Sequence, residues 1–88
     1  MTRKRVVARG RVQGVFFRDS VRREAQSVGV AGWARNRDDG AVEAVFEGDD
    51  DAVARMVDYV RSGPGHAAVS DIEVTDEPAD DLQGFEVR

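Results

Sequence analysis

Residues 10–18, with the sequence GRVQGVFFR, have the residue types of an anion-binding turn between a strand-like and a helix-like segment. Where a turn opens a helix, the first backbone N–H groups lack intrahelical partners and converge at the positive end of the helix dipole. Gly14 lets the backbone come close to a bound group, and the planar guanidinium of Arg18 suits phosphate oxygens. The stretch therefore predicts a phosphate or carboxylate site. Spacing alone leaves a β-to-α turn with a solvated arginine as the alternative.

The charges of the chain divide unevenly between its two halves. Residues 1–37 contain ten Lys or Arg and two Asp or Glu, whereas residues 38–88 contain three Lys or Arg and fifteen Asp or Glu. The first part carries a formal charge of +8 and the second −12, which gives the net charge of −4. Positive potential is thus concentrated around the predicted anion site, where it would attract anionic ligands.

Length and composition limit the kinds of protein that this chain can be. Its 88 residues predict a single domain, 1–88. The absence of cysteine excludes a disulfide framework, a thiolate metal site and a cysteine nucleophile, and it fits a reducing cytoplasm. No apolar run approaches the roughly 20 residues of a membrane span, and no signal-type run follows the basic N-terminus. We therefore expect a cytoplasmic protein without membrane association.

Five segments have the composition or the alternation of β-strands. Their ranges are 4–13, 30–37, 41–47, 69–75 and 85–88. The turn Asp38-Asp39-Gly40 joins the second strand to the third, because Asp-Gly is a strong hairpin signal. The fourth strand is expected at or near an edge of the sheet.

Two segments carry an apolar stripe at helical spacing. The stripes are Phe17, Val21, Ala25 and Val28 in the first helix and Val53, Met56, Val57 and Val60 in the second, at residues 50–61. Asp19 or Ser20 is expected to cap the first helix, and Gly29 is expected to end it. The order β-α-β-β-α-β with a small extra strand predicts an α+β protein of ferredoxin-like architecture. In it, two helices cover one face of a four- to five-stranded antiparallel sheet, and the other face is partly solvated.

Three other candidate residues or runs receive simpler interpretations. The run Asp49-Asp50-Asp51 could suggest a metal site, but no second ligand cluster lies near it in sequence, so a capping and solvated role is favoured. His66, the only histidine, lies beside a Gly-Pro-Gly turn and is assigned no role. Phe17 is expected in the core rather than stacked on a ligand. We predict no metal site and no cofactor.

Two motifs of this sequence resemble those of the acylphosphatase family, and they stand at the separation that the family shows. The motifs are Gly10-x-Val12-Gln13-Gly14-Val15-x-Phe17-Arg18 and Gly32-Trp33-Ala34-Arg35-Asn36-x-x-x-Gly40-x-Val42. The later stretches Gly63-Pro64-x-x-Ala67-x-Val69 and Phe85-x-Val87 also fit the family, so the resemblance covers nearly the whole chain. Two motifs in register are far more specific than one glycine-containing loop.

The resemblance implies a metal-free hydrolase that cleaves the carboxyl–phosphate bond of small acyl phosphates to a carboxylate and inorganic phosphate. By position, Arg18 is the family's phosphate-binding arginine and Asn36 is the asparagine that holds the attacking water. The family's phosphate loop corresponds to the backbone amides of Gly14, Val15, Phe16, Phe17 and Arg18. Without the resemblance, Asn36 would be interpreted as a polar residue that ends a strand before a turn.

Four residues depart from the family pattern. Ala8 and Ala34 are minor changes of packing. Arg37 and Ala41 stand where many members carry threonines, which could alter the surroundings of Asn36. None of these departures removes a residue with an implied catalytic role.

Two other classes of function are open alternatives. A non-enzymatic anion-binding or regulatory module would keep the site without useful turnover. An RNA-recognition module would share the order of elements and stack bases on central-strand aromatics, but the third strand carries Glu43 and Glu47 instead. The enzyme is favoured because Arg18 and Asn36 are both present. The expected partners are a small acyl-phosphate substrate and inorganic phosphate, with no nucleic acid and no membrane, and the expected state is a monomer.

Overall fold

The computed structural model describes residues 1–14 and 16–88, so Val15 of the predicted phosphate loop lies outside the described residues. The helices are α1 (Phe17–Val28) and α2 (Asp50–Arg61). The strands are β1 (Thr2–Arg11), β2 (Ala31–Asn36), β3 (Val42–Gly48), β4 (Ala68–Glu77) and β5 (Phe85–Val87). The predicted elements are confirmed in type and order, with boundaries that differ by one or two residues at most strand ends.

The five strands form one sheet in the order β4-β1-β3-β2-β5, which places β4 at an edge as predicted. The neighbours β4, β1, β3 and β2 pair antiparallel, but β5 pairs parallel to β2, so the sheet is mixed rather than antiparallel throughout. The reason is the path of the chain after β4. Residues 78–84 carry it to the opposite edge of the sheet, where β5 runs in the direction of β2.

The two helices pack on one face of this sheet and bury both predicted apolar stripes. Phe17 is 2% exposed and belongs to the core, as predicted. The sheet contributes the alternate residues of β1, β2 and β3 that face the helices, among them Val6, Ala34 and Phe46. Within the described part of the chain, neither helix has the length and apolar character needed to cross a membrane.

The strand register brings the C-terminal ends of β1 and β2 to the same end of the sheet, on either side of the start of β3. Both strands lie antiparallel to β3, and Val42 pairs with Ala8 on one side and with Asn36 on the other. The chain that leaves β1 and enters α1 therefore passes beside the last residue of β2. This pairing is what brings the two sequence motifs together.

The beginning of α1 differs from the prediction. The N-cap residue is Phe16, in a left-handed conformation with φ 62° and ψ 20°, and no described side chain caps this end of the helix. Asp19 lies inside the first turn instead, where its carboxylate pairs with Arg22 and, at 2.7 Å, with Arg23. Because two guanidinium groups hold this carboxylate, it does not serve the helix N–H groups. Gly29 ends the helix as predicted, with φ 74°.

The acidic run at the start of α2 is exposed and lies at the positive end of the helix dipole, as predicted, but the described side chains form no capping bond there. Asp49 occupies the N-cap position but makes no side-chain capping bond, and the Asp50 carboxylate accepts a hydrogen bond from the Thr2 hydroxyl. Asp50 and Asp51 lie in the first turn, where negative charge favours the helix dipole.

The sheet face away from the helices is more covered than predicted, because charged side chains pair across its centre. Glu43 and Glu47 of β3 are only 6% and 2% exposed. Arg5 and Arg35 pair with Glu43, the latter at 2.6 Å, and Arg3 lies 3.7 Å from Glu47. A central strand with acids on its outer face is therefore buried on both faces.

Glu47 also holds the connection between β4 and β5. Its two carboxylate oxygens accept the backbone N–H groups of Asp80 and Leu82, each at 2.8 Å. Burial by itself would raise the pKa of Glu47, but these two hydrogen bonds and the Arg3 guanidinium lower the pKa below its usual value. One buried carboxylate thus fixes the loop that carries the chain to the opposite edge of the sheet.

We predict that Glu47→Gln lowers the free energy of unfolding at pH 7 by about 1–3 kcal/mol, because one N–H would face the amide NH₂ group instead of an oxygen. Since the folded pKa lies below the unfolded value of about 4.3, the carboxylate stabilises the fold above that pH and this contribution disappears as the pH falls. The difference in free energy of unfolding between wild type and variant should therefore become smaller at acid pH. Urea unfolding at several pH values measures it, with exposed Glu73→Gln as the control. A control that loses as much stability would contradict the assignment.

Candidate functional site

An open cavity of about 350 Å³ lies where the turn after β1 meets the first turn of α1. Its lining includes four of the predicted phosphate-loop residues, Gly14, Phe16, Phe17 and Arg18. The other lining residues are Val12, Asp19, Arg22 and Val87. Val15 lies outside the described residues, and Asn36 is not part of the lining.

The backbone of this turn takes conformations that favour residues without a bulky side chain. Gly14 has φ 70°, and a Cβ built on it would meet nothing within 4 Å, so its freedom of conformation rather than its small size is what the turn uses. Phe16 has φ 62°, an uncommon region for an aromatic residue and one that is costly unless the surroundings impose it. Its carbonyl accepts the N–H of Ser20 at 3.0 Å, so the left-handed residue opens the helix.

The uncapped helix end gives the cavity a positive character. No described side chain accepts a hydrogen bond from the first N–H groups of α1, so these N–H groups can bind a ligand. They lie at the positive end of the helix dipole. Asp19 is the one carboxylate among the described lining residues, and it is held by Arg23 and Arg22. The hydrogen bond from Arg23, together with the charges of both arginines, lowers the pKa of Asp19 below its usual value, although burial opposes the shift. This acid therefore stays ionised and paired.

The two neighbouring phenylalanines have opposite environments. Phe17 points into the core, whereas the Phe16 side chain is 73% exposed at the mouth of the cavity. Val87, 36% exposed, lines the same cavity from β5. The inner end of the cavity is therefore positively charged, and its mouth is apolar.

Arg18 is held by the last strand. Its Nη1 donates a hydrogen bond to the backbone carbonyl of Arg88 at 2.9 Å, and the backbone N–H of Arg88 donates to the carbonyl of Ala34 at 2.8 Å. The Arg88 guanidinium lies over the Trp33 ring at 4.8 Å, a cation–π contact on the sheet face opposite the helices. The guanidinium of Arg18 is thus connected to β2 two residues before Asn36.

Asn36, the only asparagine of the chain, is the last residue of β2. The alternation of the strand puts it on the face of Ala34, which is the helix face and the face of α1. Its Oδ1 is buried, and no donor among the described residues bonds to it. A buried acceptor without a partner carries a free-energy cost, and native structures retain such atoms mainly at functional positions or beside water.

Gln13 is a residue that sequence reasoning named only as part of a motif. Its Nε2 donates to the backbone carbonyls of Arg37 and Ala41, at 2.8 and 2.9 Å. These carbonyls belong to the tight turn after β2, closed by the N–H of Arg37 on the carbonyl of Ala41. The only sequence signal was a polar residue between buried Val12 and a glycine, which does not indicate a partner some 25 residues away.

The two departures next to Asn36 are explained by these contacts. Arg37 turns its side chain toward Asp39, with Nη2 3.3 Å from Oδ2, and Ala41 is 2% exposed. The N–H of Ala41 donates to Asp39 Oδ1 at 3.1 Å, and this bond is the main cause that lowers the pKa of Asp39, with the Arg9 guanidinium adding to it. Because Gln13 contacts only backbone carbonyls here, the side chains at both positions can vary without loss of the contact.

The arrangement suits an anion with tetrahedral oxygens. Helix N–H groups and one guanidinium can bind negative charge, and the Asn36 amide oxygen lies at the end of β2 on the face that α1 covers. The described lining offers no hydroxyl, thiol or imidazole. Such a set can stabilise a phosphoryl group and position a water. The one carboxylate among the described lining residues, Asp19, is paired with two arginines rather than free to attack.

Comparison with known proteins gives a consistent result. The family model of acylphosphatases matches residues 4–87. The chain is 56% identical over 87 residues to an acylphosphatase of Rubrobacter xylanophilus, which covers 98% of this chain and 79% of that protein. It is 52% identical over 87 residues to an acylphosphatase of Haloarcula marismortui, with 99% and 96% covered.

A solved structure agrees with these sequence matches. The crystal structure of an acylphosphatase from Bacillus subtilis superposes with a TM-score of 0.95 at 39% sequence identity. The match covers 100% of this chain and 99% of that one. The similarity therefore extends over every element described above.

Proposed function

The chain belongs to the acylphosphatase family, and from this premise we propose how its own residues cleave the carboxyl–phosphate bond of small acyl phosphates to a carboxylate and inorganic phosphate. The substrate phosphate binds in the cavity at the start of α1, and Asn36 holds the attacking water. The observation that carries this proposal is the buried Oδ1 of Asn36, which lies on the helix face of the sheet and has no hydrogen-bond partner among the described residues. The residue after Asn36 is bonded by Gln13 of the turn beside that cavity.

The phosphate is bound by the backbone N–H groups of residues 14–18 and by the Arg18 guanidinium. In this family assignment Gly14, Val15, Phe16 and Phe17 contribute through their backbone, and Arg18 through backbone and side chain. The equatorial oxygens of the phosphoryl group carry the charge that develops during transfer, and fixed donors stabilise that charge without reorganising. The hydrogen bond from Arg18 to the Arg88 carbonyl supports this role, because it limits the positions of the guanidinium before substrate arrives.

The water donates a hydrogen bond to Asn36 Oδ1, which directs its lone pair toward phosphorus. The new bond forms between the water oxygen and phosphorus as the bond from phosphorus to the acyl oxygen breaks, and the carboxylate leaves with the electron pair. An amide is not an effective base, so the proton passes to a phosphate oxygen. The leaving carboxylate is a stable anion that needs no strong acid. This agrees with the described lining, in which the one carboxyl group, Asp19, is ionised and paired.

The first test is hydrolysis of an aryl acyl phosphate by the wild-type chain with a chelator present. We expect turnover that is unaffected by the chelator and competitively inhibited by inorganic phosphate. Phosphate binding without turnover would favour the non-enzymatic module instead.

Sequence-selective RNA binding at physiological salt would favour the RNA-recognition alternative. The buried and paired Glu43 and Glu47 argue against that alternative. A cytoplasmic, monomeric protein stays a prediction.

We predict that Arg18→Ala weakens phosphate binding and lowers kcat/KM, each by about ten- to hundred-fold, because a hydrogen bond to a charged group is worth about 1.5–3 kcal/mol. The inhibition constant of inorganic phosphate measures the first effect, and initial rates measure the second. Exposed Arg61→Ala on α2 removes the same charge far from the cavity and should change neither. Phosphate affinity that survives Arg18→Ala would reject this assignment of the arginine.

Asn36→Ala is expected to separate turnover from binding. Loss of one group that acts in the transition state typically costs about a hundred- to thousand-fold in kcat, while the inhibition constant of phosphate should stay near the wild-type value. Gln83→Ala, an exposed amide in the connection before β5, is the matched control. A near-normal rate for Asn36→Ala would remove Asn36 from the mechanism.

A further inference from the structure

We propose that Gln13 is a positioning residue that sets Asn36 relative to the phosphate-binding loop, an inference that rests on the function proposed above. Gln13 lies in the turn between β1 and Gly14, so its backbone is continuous with the loop that binds phosphate. Its side chain reaches the carbonyl of Arg37, the residue that follows Asn36. One side chain therefore connects the two parts of the site.

The contact uses both hydrogens of a primary amide. The carbonyl oxygens of Arg37 and Ala41 both accept from the same Nε2, at 2.8 and 2.9 Å. Two converging oxygens repel unless a donor with two hydrogens lies between them, and the NH₂ of glutamine supplies both. The same reasoning fixes the orientation of the amide, because its oxygen in that place would face two acceptors.

The surroundings make this contact rigid. Val12 is 1% exposed and holds the backbone before Gln13 in the core. On the other side, the 37–41 turn is closed by the Arg37 N–H on the Ala41 carbonyl at 2.8 Å and by the Gly40 N–H on the Arg37 carbonyl at 3.2 Å. Gln13 thus joins two elements that are each fixed, rather than a mobile loop to a surface.

The effect on the reaction follows from the geometry of phosphoryl transfer. The attacking oxygen must lie in line with the departing acyl oxygen, and small displacements of a positioned group cost much rate. Phosphate contacts come from residues 14–18, whereas the water contact comes from Asn36. A change in the distance between these two parts would leave phosphate binding intact and misplace the water.

The test uses Gln13→Met, which keeps the length of the side chain and removes both donors. We expect kcat to fall by about tenfold or more, with an unchanged inhibition constant for inorganic phosphate, which also shows that the variant is folded. Exposed Gln26→Met on α1 is the control and should match wild type.

Gln13→Glu should show a larger loss of kcat at neutral pH than Gln13→Met, since a carboxylate repels both carbonyls. Its rate relative to wild type should recover toward acid pH as the carboxyl group gains a proton that it can donate.

A double-mutant cycle with Asn36→Ala separates the outcomes. If Gln13 acts through Asn36, Gln13→Met changes kcat little further in the Asn36→Ala chain. The positioning role would be overturned if the kcat losses of the two single variants multiplied in the double variant. It would also be overturned by a wild-type rate for Gln13→Met, or by loss of phosphate binding in Gln13→Met. Failure of the proposed function looks different, because the wild-type chain would then show no turnover, or Asn36→Ala alone would keep the wild-type rate.

Discussion

The pairing of Val42 with Ala8 on one side and Asn36 on the other is the constraint on which the site depends. Because β3 is antiparallel to both neighbours, β1 and β2 end at the same edge of the sheet. One ending leads into the 14–18 loop and the other presents the single asparagine. A shift of β2 by one residue against β3 would turn Asn36 to the opposite face, away from the helices and from the start of α1.

Charge is used differently on the two faces of this sheet. On the face away from the helices, arginines of β1 and β2 neutralise Glu43 and Glu47, and little of this charge is available to a ligand. At the start of α1, no described side chain caps the helix N–H groups, and the described hydrogen bond of the Arg18 guanidinium goes to the backbone oxygen of Arg88. The positive potential of the first half of the chain therefore remains effective at the cavity, although the whole chain is acidic.

Alternation and helical spacing in the sequence predicted each strand and helix, because those patterns follow from local geometry. The predictions that failed depend on contacts between residues that are distant in sequence or on which partner a polar side chain selects. Asp19 was expected to cap α1, but two arginines on the same helix hold it. The sheet was expected to be antiparallel throughout, but the direction of β5 is set by a connection that the buried Glu47 holds in place. Both outcomes depend on which partner lies close in space.

The sequence by itself determined the family, the order of elements and the residue types that can bind phosphate and hold a water, because motifs and periodicity are properties of neighbours along the chain. Only the tertiary structure decided that the buried Asn36 oxygen lacks a partner among the described residues, that Arg18 is held through Arg88, and that Gln13 spans the two motifs. These contacts join residues more than 20 positions apart. The packing of the sheet, not any local pattern, selects them.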